Sequence, residues 1–278
     1  MNKTKKSNDD VAENYIYVDG IKKSQRIVIK IGSATLTHTT GKLNLKRIEN
    51  LVKAVSDFSN MGKEIILVSS GAISAGTAKL GMKIPLIEIE DKKAAAAAGQ
   101  AELMTIYDRF FSSFGVKIAQ MLLTRDVIDD EMRRKTAEKT FSVLLKIGCV
   151  PIVNENDPIS SDELKFSGND MLAAYVAKLC NADLLINLSD IDGLYDKNPS
   201  KFDDAKLIHT VEKLTPEVLS YAGGAGSSRG TGGMITKLEA AQMIAEDNTP
   251  MIIANGKNPE ILYDILDVKI AGTYIGNG

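Results

Sequence analysis

Short runs of aliphatic and β-branched residues recur along this chain, each followed by a stretch with helical spacing. The first regular run is Arg26-Ile-Val-Ile-Lys-Ile31, closed by Gly32-Ser33. A short apolar run ending in a turn predicts a buried strand. Leu43 to Met61 then places Ile48, Leu51, Val52 and Val55 on one helical face and stops at Gly62. The same reading predicts strands over 64–69, 117–123, 149–153, 182–188 and 250–254. It predicts helices over 91–114, 133–147, 169–179 and 237–246. The helix over 91–114 opens with five consecutive alanines, the best helix formers, and Gly99 reads as a blemish in it. Residues 201–233 are less regular, and 221–233 predict a mobile loop.

The central strands are apolar throughout rather than alternating. That pattern implies a mostly parallel sheet covered on both faces by helices, an α/β architecture. Ligands of open α/β sheets bind at the carboxyl ends of strands. Here polar and glycine residues collect after Lys30, Ser69, Val153, Leu188 and Ala254, so these ends should converge on one edge. Residues 1–24 are polar without a clear period and predict a loosely ordered arm, in which Tyr15-Ile-Tyr17-Val18 has the composition of an edge strand. Residues 25–278 contain no linker that demands two folding units, and no strong internal repeat.

Composition changes this picture little. The 278 residues are 44% apolar and 25% charged, with a net charge of −2, so nothing favours nucleic acid or an anionic membrane. No run approaches the length of a membrane span, and the N-terminus lacks a signal-peptide core. With Cys149 and Cys180 both in apolar surroundings, two buried thiols in a cytoplasmic protein are expected.

The chemistry sits in the turns. Gly230-Thr-Gly-Gly-Met-Ile-Thr-Lys237 joins a glycine turn to a lysine near a helix start. Glycine lets backbone N–H groups approach phosphate oxygens, and a helix N-terminus adds partial positive charge. Lys30-Ile-Gly-Ser33 sets a second lysine beside a second glycine turn; the residues alone leave open a phosphate-facing or a solvent-facing lysine. Ser69-Ser-Gly-Ala72 fits an anion nest or an ordinary strand-to-helix turn. Asn154-Glu-Asn-Asp157 and Ser167-Gly-Asn-Asp170 fit a polar substrate site or turn and cap chemistry, and for Asn169-Asp170 capping can coexist with function. Ser189-Asp190 follows the most apolar strand and fits a nucleotide site or a surface loop. No Walker P-loop is present, and no G-x-G-x-x-G follows the first strand, which argues against a dinucleotide-binding dehydrogenase.

Together with Ser69 to Gly76, Ala94 to Gln100, Gln120-Met-Leu-Leu-Thr-Arg-Asp126, Pro151 to Asp157 and Ser189 to Tyr195, these segments closely resemble the glutamate 5-kinases, a branch of the amino acid kinase family. The likeness runs in family order from about Arg26 to Ala254. It implies a three-layer αβα sandwich around an open, mainly parallel sheet. It also implies ATP and Mg²⁺, the metal held mainly through ATP and not by a protein cage. The implied reaction is phosphorylation of the γ-carboxylate of L-glutamate, the first step toward proline, with proline as a feedback inhibitor. A homo-oligomer, dimer or tetramer, is implied too.

By this resemblance Lys30 and Lys237 are the phosphate-clamping lysines and Asp170 organises them. Ser70, Asp157 and Asn169 are the glutamate-binding set, with Gly71 beside them. The ATP contacts are Lys30, Gly32, Ser189, Asp190 and Thr231, Gly232, Gly233, Met234, Ile235, Thr236 and Lys237. The Gly32 and Gly71 amides are expected to add charge at the phosphoryl group, and the glycine loop to close on nucleotide. Two departures stand out. The family often has Gly-Asp-Asn-Asp at 167–170, so Gly168 removes a substrate-side carboxylate. Many members also carry a C-terminal PUA domain, and a form without it is expected here. The competing readings are a kinase for N-acetylglutamate, aspartate or UMP, and a non-catalytic nucleotide or amino-acid sensor. Asn154-Glu-Asn-Asp157 argues against the first, and retention of both lysines with Asp170 against the second.

Overall fold

The computed structural model describes residues 20–161, 166–222, 233–269 and 271–276. Eight strands form one sheet in the order β3-β4-β2-β1-β5-β9-β10-β8. These are β1 (Arg26–Ile31), β2 (Glu64–Ser69), β3 (Lys117–Leu123), β4 (Cys149–Glu155), β5 (Leu184–Ser189), β8 (Thr210–Val211), β9 (Met251–Asn255) and β10 (Thr273–Ile275). The six from β3 to β9 in that order are mutually parallel; β10 runs antiparallel to β9 and parallel to β8. A small antiparallel pair, β6 (Leu194–Tyr195) and β7 (Leu207–Ile208), stands apart.

Strand periodicity divides the core in two. Ile27, Ile29 and Ile31 of β1 pack on the side of α2 (Leu45–Asn60), α4 (Ile89–Ser113) and α10 (Ile261–Leu266). Val28 of β1 faces the side of α6 (Glu131–Lys146), α7 (Asn169–Cys180) and α9 (Met234–Ala245). The sheet is thus covered on both faces, as the unbroken apolar strands predict, and both cysteines are buried free thiols. Burial pushes the Cys180 thiol up to about 12. Among the described residues no helix is long and apolar enough to cross a membrane.

Several elements were not predicted. A helix α3 (Ala72–Leu80) follows the Ser69-Ser-Gly turn, and short helices α1 (Ser33–Leu36), α5 (Asp126–Asp129) and α8 (Pro216–Tyr221) occupy stretches read as turn or irregular. Helix α9 begins three residues earlier than expected, which moves Lys237 from its first position to its fourth. Gly99 is not a blemish. It faces Gly76 of α3, and a Cβ on either would collide with a backbone carbonyl, that of Ala72 or of Ala95 respectively. The two helices cross so closely that only hydrogen fits between their backbones. The proposed strand at Tyr15-Ile-Tyr17-Val18 and the rest of the arm up to residue 19 lie outside the described residues.

Candidate active site

The site starts from the period of two in β1. Lys30 shares a face with Val28, so its side chain runs beneath α7 and α9 and away from solvent. There its Nζ stands 2.5 Å from Asp170 Oδ1, and Lys237 Nζ stands 3.1 Å from Asp170 Oδ2. All three are buried, with side-chain exposures of 7%, 3% and 6% for Lys30, Asp170 and Lys237. The solvent-facing alternative for Lys30 is therefore wrong. Asp170 does not cap its helix either: the N-cap is Gly168, without a side-chain cap bond, and Asp170 sits in the first turn facing the lysines.

Each oxygen of Asp170 also has a neutral neighbour. Asn187 Nδ2 donates to Oδ1 at 2.8 Å, and Thr236 Oγ1 lies 2.9 Å from Oδ2. These three side chains, two ammonium groups and one carboxylate, together carry one positive charge. Burying charge is costly unless it is compensated, so the cluster favours a bound anion. Burial alone would push the Asp170 carboxyl up, but Lys30 and Lys237 outweigh it and hold it well below the usual carboxylate range. Burial pushes the Lys30 ammonium below the ordinary lysine value; Asp170 pulls it back up and Lys237 pushes it down.

The sign for stability follows. A carboxyl whose folded value is depressed stabilises fully above its unfolded value, about 3.9, and loses that contribution as pH falls through the folded value. The difference in thermal stability between the wild type and Asp170→Asn should therefore be full above about pH 4 and close on further acidification. Melting curves of both proteins from pH 7 to pH 2 measure it. A gap constant throughout that range would mean the carboxylate's charge is not what holds the lysines.

A second network lies on the acceptor side. Asn169 Nδ2 donates to Ser70 Oγ at 2.8 Å and to Asn154 Oδ1 at 3.0 Å, while Asn154 Nδ2 donates to Gln100 Oε1 at 2.9 Å. Asn154 is buried at the end of β4, and Ser70 and Asn169 are half-buried at the rim. Ser69 Oγ and Tyr107 Oη lie 2.8 Å apart beneath Ser70. Glu155 is also buried, and its Oε1 accepts from Ser160 Oγ at 3.0 Å and from the Phe166 N–H at 3.2 Å. It holds the loop after β4, which carries half-buried Asp157.

The predicted residues gather at the carboxyl edge of the sheet with some differences. Gly71 opens α3, and Ser189 is buried at the end of β5 beside exposed Asp190. Gly233, Met234, Ile235 and Thr236 lead into Lys237. Gly32 differs: its N–H points to the Leu188 carbonyl at 3.3 Å, so this amide is engaged within the sheet edge. Thr231 and Gly232, and the glycine loop over 223–232 expected to close on nucleotide, lie outside the described residues. Gly168 has φ +105°, ψ 171°, a region almost confined to glycine. Backbone geometry thus explains the glycine where a carboxylate was expected.

Three residues escaped the reading of the sequence: Asn187, Gln100 and Tyr107. Asn187 left a signal, since it interrupts the apolar run Leu184-Leu-Ile-Asn-Leu188. Gln100 closes the alanine-rich segment Ala94 to Gln100, which carries the resemblance without assigning this side chain a role. Among the described residues no group of three or more His, Cys, Asp or Glu side chains could hold a metal ion.

A parallel αβα sandwich with two lysines converging on a carboxylate at its strand ends defines a phosphotransferase class, and the chain belongs to the amino acid kinase family, whose sequence profile matches residues 25–255. Its place within that family is among the glutamate 5-kinases. It is 51% identical over 257 residues to the glutamate 5-kinase of Clostridium perfringens, covering 91% of this chain and 96% of that one. The Listeria innocua glutamate 5-kinase is 48% identical over 259 residues, covering 92% and 94%. Solved structures share the fold at lower identity. A UMP kinase from Ureaplasma parvum aligns with a TM-score of 0.64 at 16% identity, covering 92% of this chain and all of that one (100%). An isopentenyl phosphate kinase aligns at 0.62 and 19%, covering 90% and 99%.

Proposed function

We infer that this kinase transfers the γ-phosphoryl group of ATP to the γ-carboxylate of L-glutamate, giving L-glutamate 5-phosphate and ADP. The observation that carries the reading is the buried Lys30–Asp170–Lys237 cluster, set 2.5 and 3.1 Å across one carboxylate, in a chain about half identical to glutamate 5-kinases. In the reaction a carboxylate oxygen forms a bond to the γ-phosphorus, the bond from phosphorus to the β-bridging oxygen breaks, and ADP leaves with the electron pair. The acceptor, with a solution value near 4.3, is ionised at neutral pH. No general base is needed.

What the reaction needs is alignment of two anions and neutralisation of charge on the transferring group. Lys30 and Lys237 would supply the charge, and Asp170 would hold them until phosphate competes for them. Ser70, Asn169, Gly71 and Asp157 would receive the amino acid. Ser189, Asp190 and residues 231–237 would hold the nucleotide. Asp170, the carboxylate nearest the clamp, has both oxygens taken, which suits a Mg²⁺ carried by the phosphates of ATP. When bound, that ion would offset charge on the β- and γ-phosphates.

Incubation with ATP, Mg²⁺, hydroxylamine and a panel of acids tests the reading, because acyl phosphates are trapped as hydroxamates. Hydroxamate with free glutamate is expected; product from N-acetylglutamate or aspartate instead would overturn the choice of acceptor. Proline added to the same assay should suppress the signal, and light scattering should give a dimer or tetramer. The acceptor network makes a separate prediction. Asn169→Ala should raise KM for glutamate about tenfold, the equivalent of one hydrogen bond, and leave KM for ATP unchanged. An equal rise in both constants would show that Asn169 does not discriminate between the two halves of the site.

A further inference from the structure

Asn187 is fully buried in the central strand β5, flanked by β1 and β9. It pairs in register with Lys30, so in the parallel ladder both side chains leave the same face of the sheet. Its Nδ2 donates to Asp170 Oδ1, the oxygen that also meets Lys30. Its own Oδ1 is buried without a hydrogen-bond partner among the described residues. An amide in a central strand that leaves one polar atom unsatisfied is unfavourable for folding alone, so its position calls for another reason.

The carboxylate of Asp170 offers about four acceptor sites, and among the described residues four donors surround it. Lys30 and Lys237 are the two charged ones, and on the proposed reading both must turn toward phosphate during transfer. The neutral pair would then have to keep the carboxylate in plane. Thr236 is a shared donor: its hydroxyl carries one proton and lies 2.9 Å from both Asp170 Oδ2 and the Gly233 carbonyl. It also stands in the first turn of α9, next to the nucleotide segment. Asn187 alone combines an undivided N–H with a fixed backbone.

We propose that Asn187 is a positioning residue of the phosphoryl-transfer site, holding the Oδ1 edge of Asp170 in place while Lys30 moves from carboxylate to phosphate. This rests on the kinase reading above. The residue acts through Asp170 and touches no reacting atom. The charged groups that face Asp170 are Lys30 from β1 and Lys237 from α9, with Asp190 beyond the end of β5 acting on Lys30.

Asn187→Leu keeps the shape and removes the donor. It should lower kcat about 10- to 100-fold, the range for losing a hydrogen bond to a charged group, with both KM values within about twofold of wild type. Asn187→Asp restores a donor only when its carboxyl is protonated, so its kcat relative to wild type should rise as pH falls. A third measurement is independent of turnover. In protein labelled with ¹³C at aspartate carboxyls, the Asp170 signal, assigned by its loss in Asp170→Asn, should titrate at higher pH in Asn187→Leu than in wild type. If Asn187→Leu keeps both its kcat and the Asp170 midpoint, or loses only thermal stability, the proposal is wrong. If Asn187→Leu does not fold, the pH dependence of Asn187→Asp decides. If the wild type phosphorylates no acid in the panel, the kinase reading fails, and an unmoved Asp170 midpoint would remove the positioning role as well.

Discussion

Lys237→Ala and Lys30→Ala should each lower kcat by roughly 10²–10³, the effect of removing one preorganised group that stabilises transition-state charge. KM for glutamate should change little, because the acceptor network of Ser70, Asn169 and Asn154 contains neither lysine. The fold should survive. Either substitution leaves one ammonium on Asp170, a neutral buried pair, whereas the native cluster carries one positive charge in excess. Asp170→Asn is the opposite case. It leaves two buried ammonium groups without a counter-charge, and breaking a buried pair in this way costs on the order of 3–5 kcal/mol. The lysine variants should therefore melt near the wild-type temperature while losing turnover, and Asp170→Asn should lose both. Steady-state kinetics with melting curves separates these patterns. Wild-type kcat in both lysine variants would sink the clamp.

The second large effect concerns a residue outside the lysine cluster. Gly99→Ala should destabilise the protein by roughly 3 kcal/mol, the upper end for overpacking, because the obstructing atoms belong to backbone and cannot rotate away. Helix propensity alone predicts the opposite sign, a gain of about 1 kcal/mol for alanine over glycine in a helix interior. Urea denaturation decides between them, and a stabilised variant would mean that α3 and α4 do not cross as closely as described. The same substitution should raise KM for glutamate. Gln100 is the next residue along α4, and its Oε1 accepts from Asn154, which in turn accepts from Asn169. Displacing the helix thus disturbs the acceptor site through two amides.

Much of this site is legible from residue order. Strand runs that are apolar throughout specify a sheet buried on both faces, and polar residues after their carboxyl ends mark the ligand edge. Lys30, Asp170 and Lys237 are identifiable because each stands at such a junction beside a glycine turn or a helix start. What each one contacts is not. Lys30 read alone leaves solvent and phosphate both open, since a lysine at a strand end can point either way. The choice follows only when β1 is paired and its period of two places Lys30 with Val28 beneath α7 and α9. Asp170 and Asn169 read alone fit a cap as well as a site, because Asn and Asp favour helix starts; the capping position falls to Gly168, which frees both side chains for the site.

Gly99 shows the other kind of failure. Propensity counts a glycine in a helix as a cost, and no local rule reports that another backbone lies against it. Asn187 and Gln100 were overlooked for the same reason, since their partners are 17 and 54 residues away. Residue order is enough to specify the layered α/β class, the edge where ligands meet it and the residues able to carry phosphate chemistry, because strand and helix periods and turn composition are local properties of the chain. Tertiary structure decided the ion pairs on Asp170, the glycine crossing of α3 and α4, and the amides that orient the site. Each of these depends on which face of one element is pressed against another, and that is settled only when the whole core is packed.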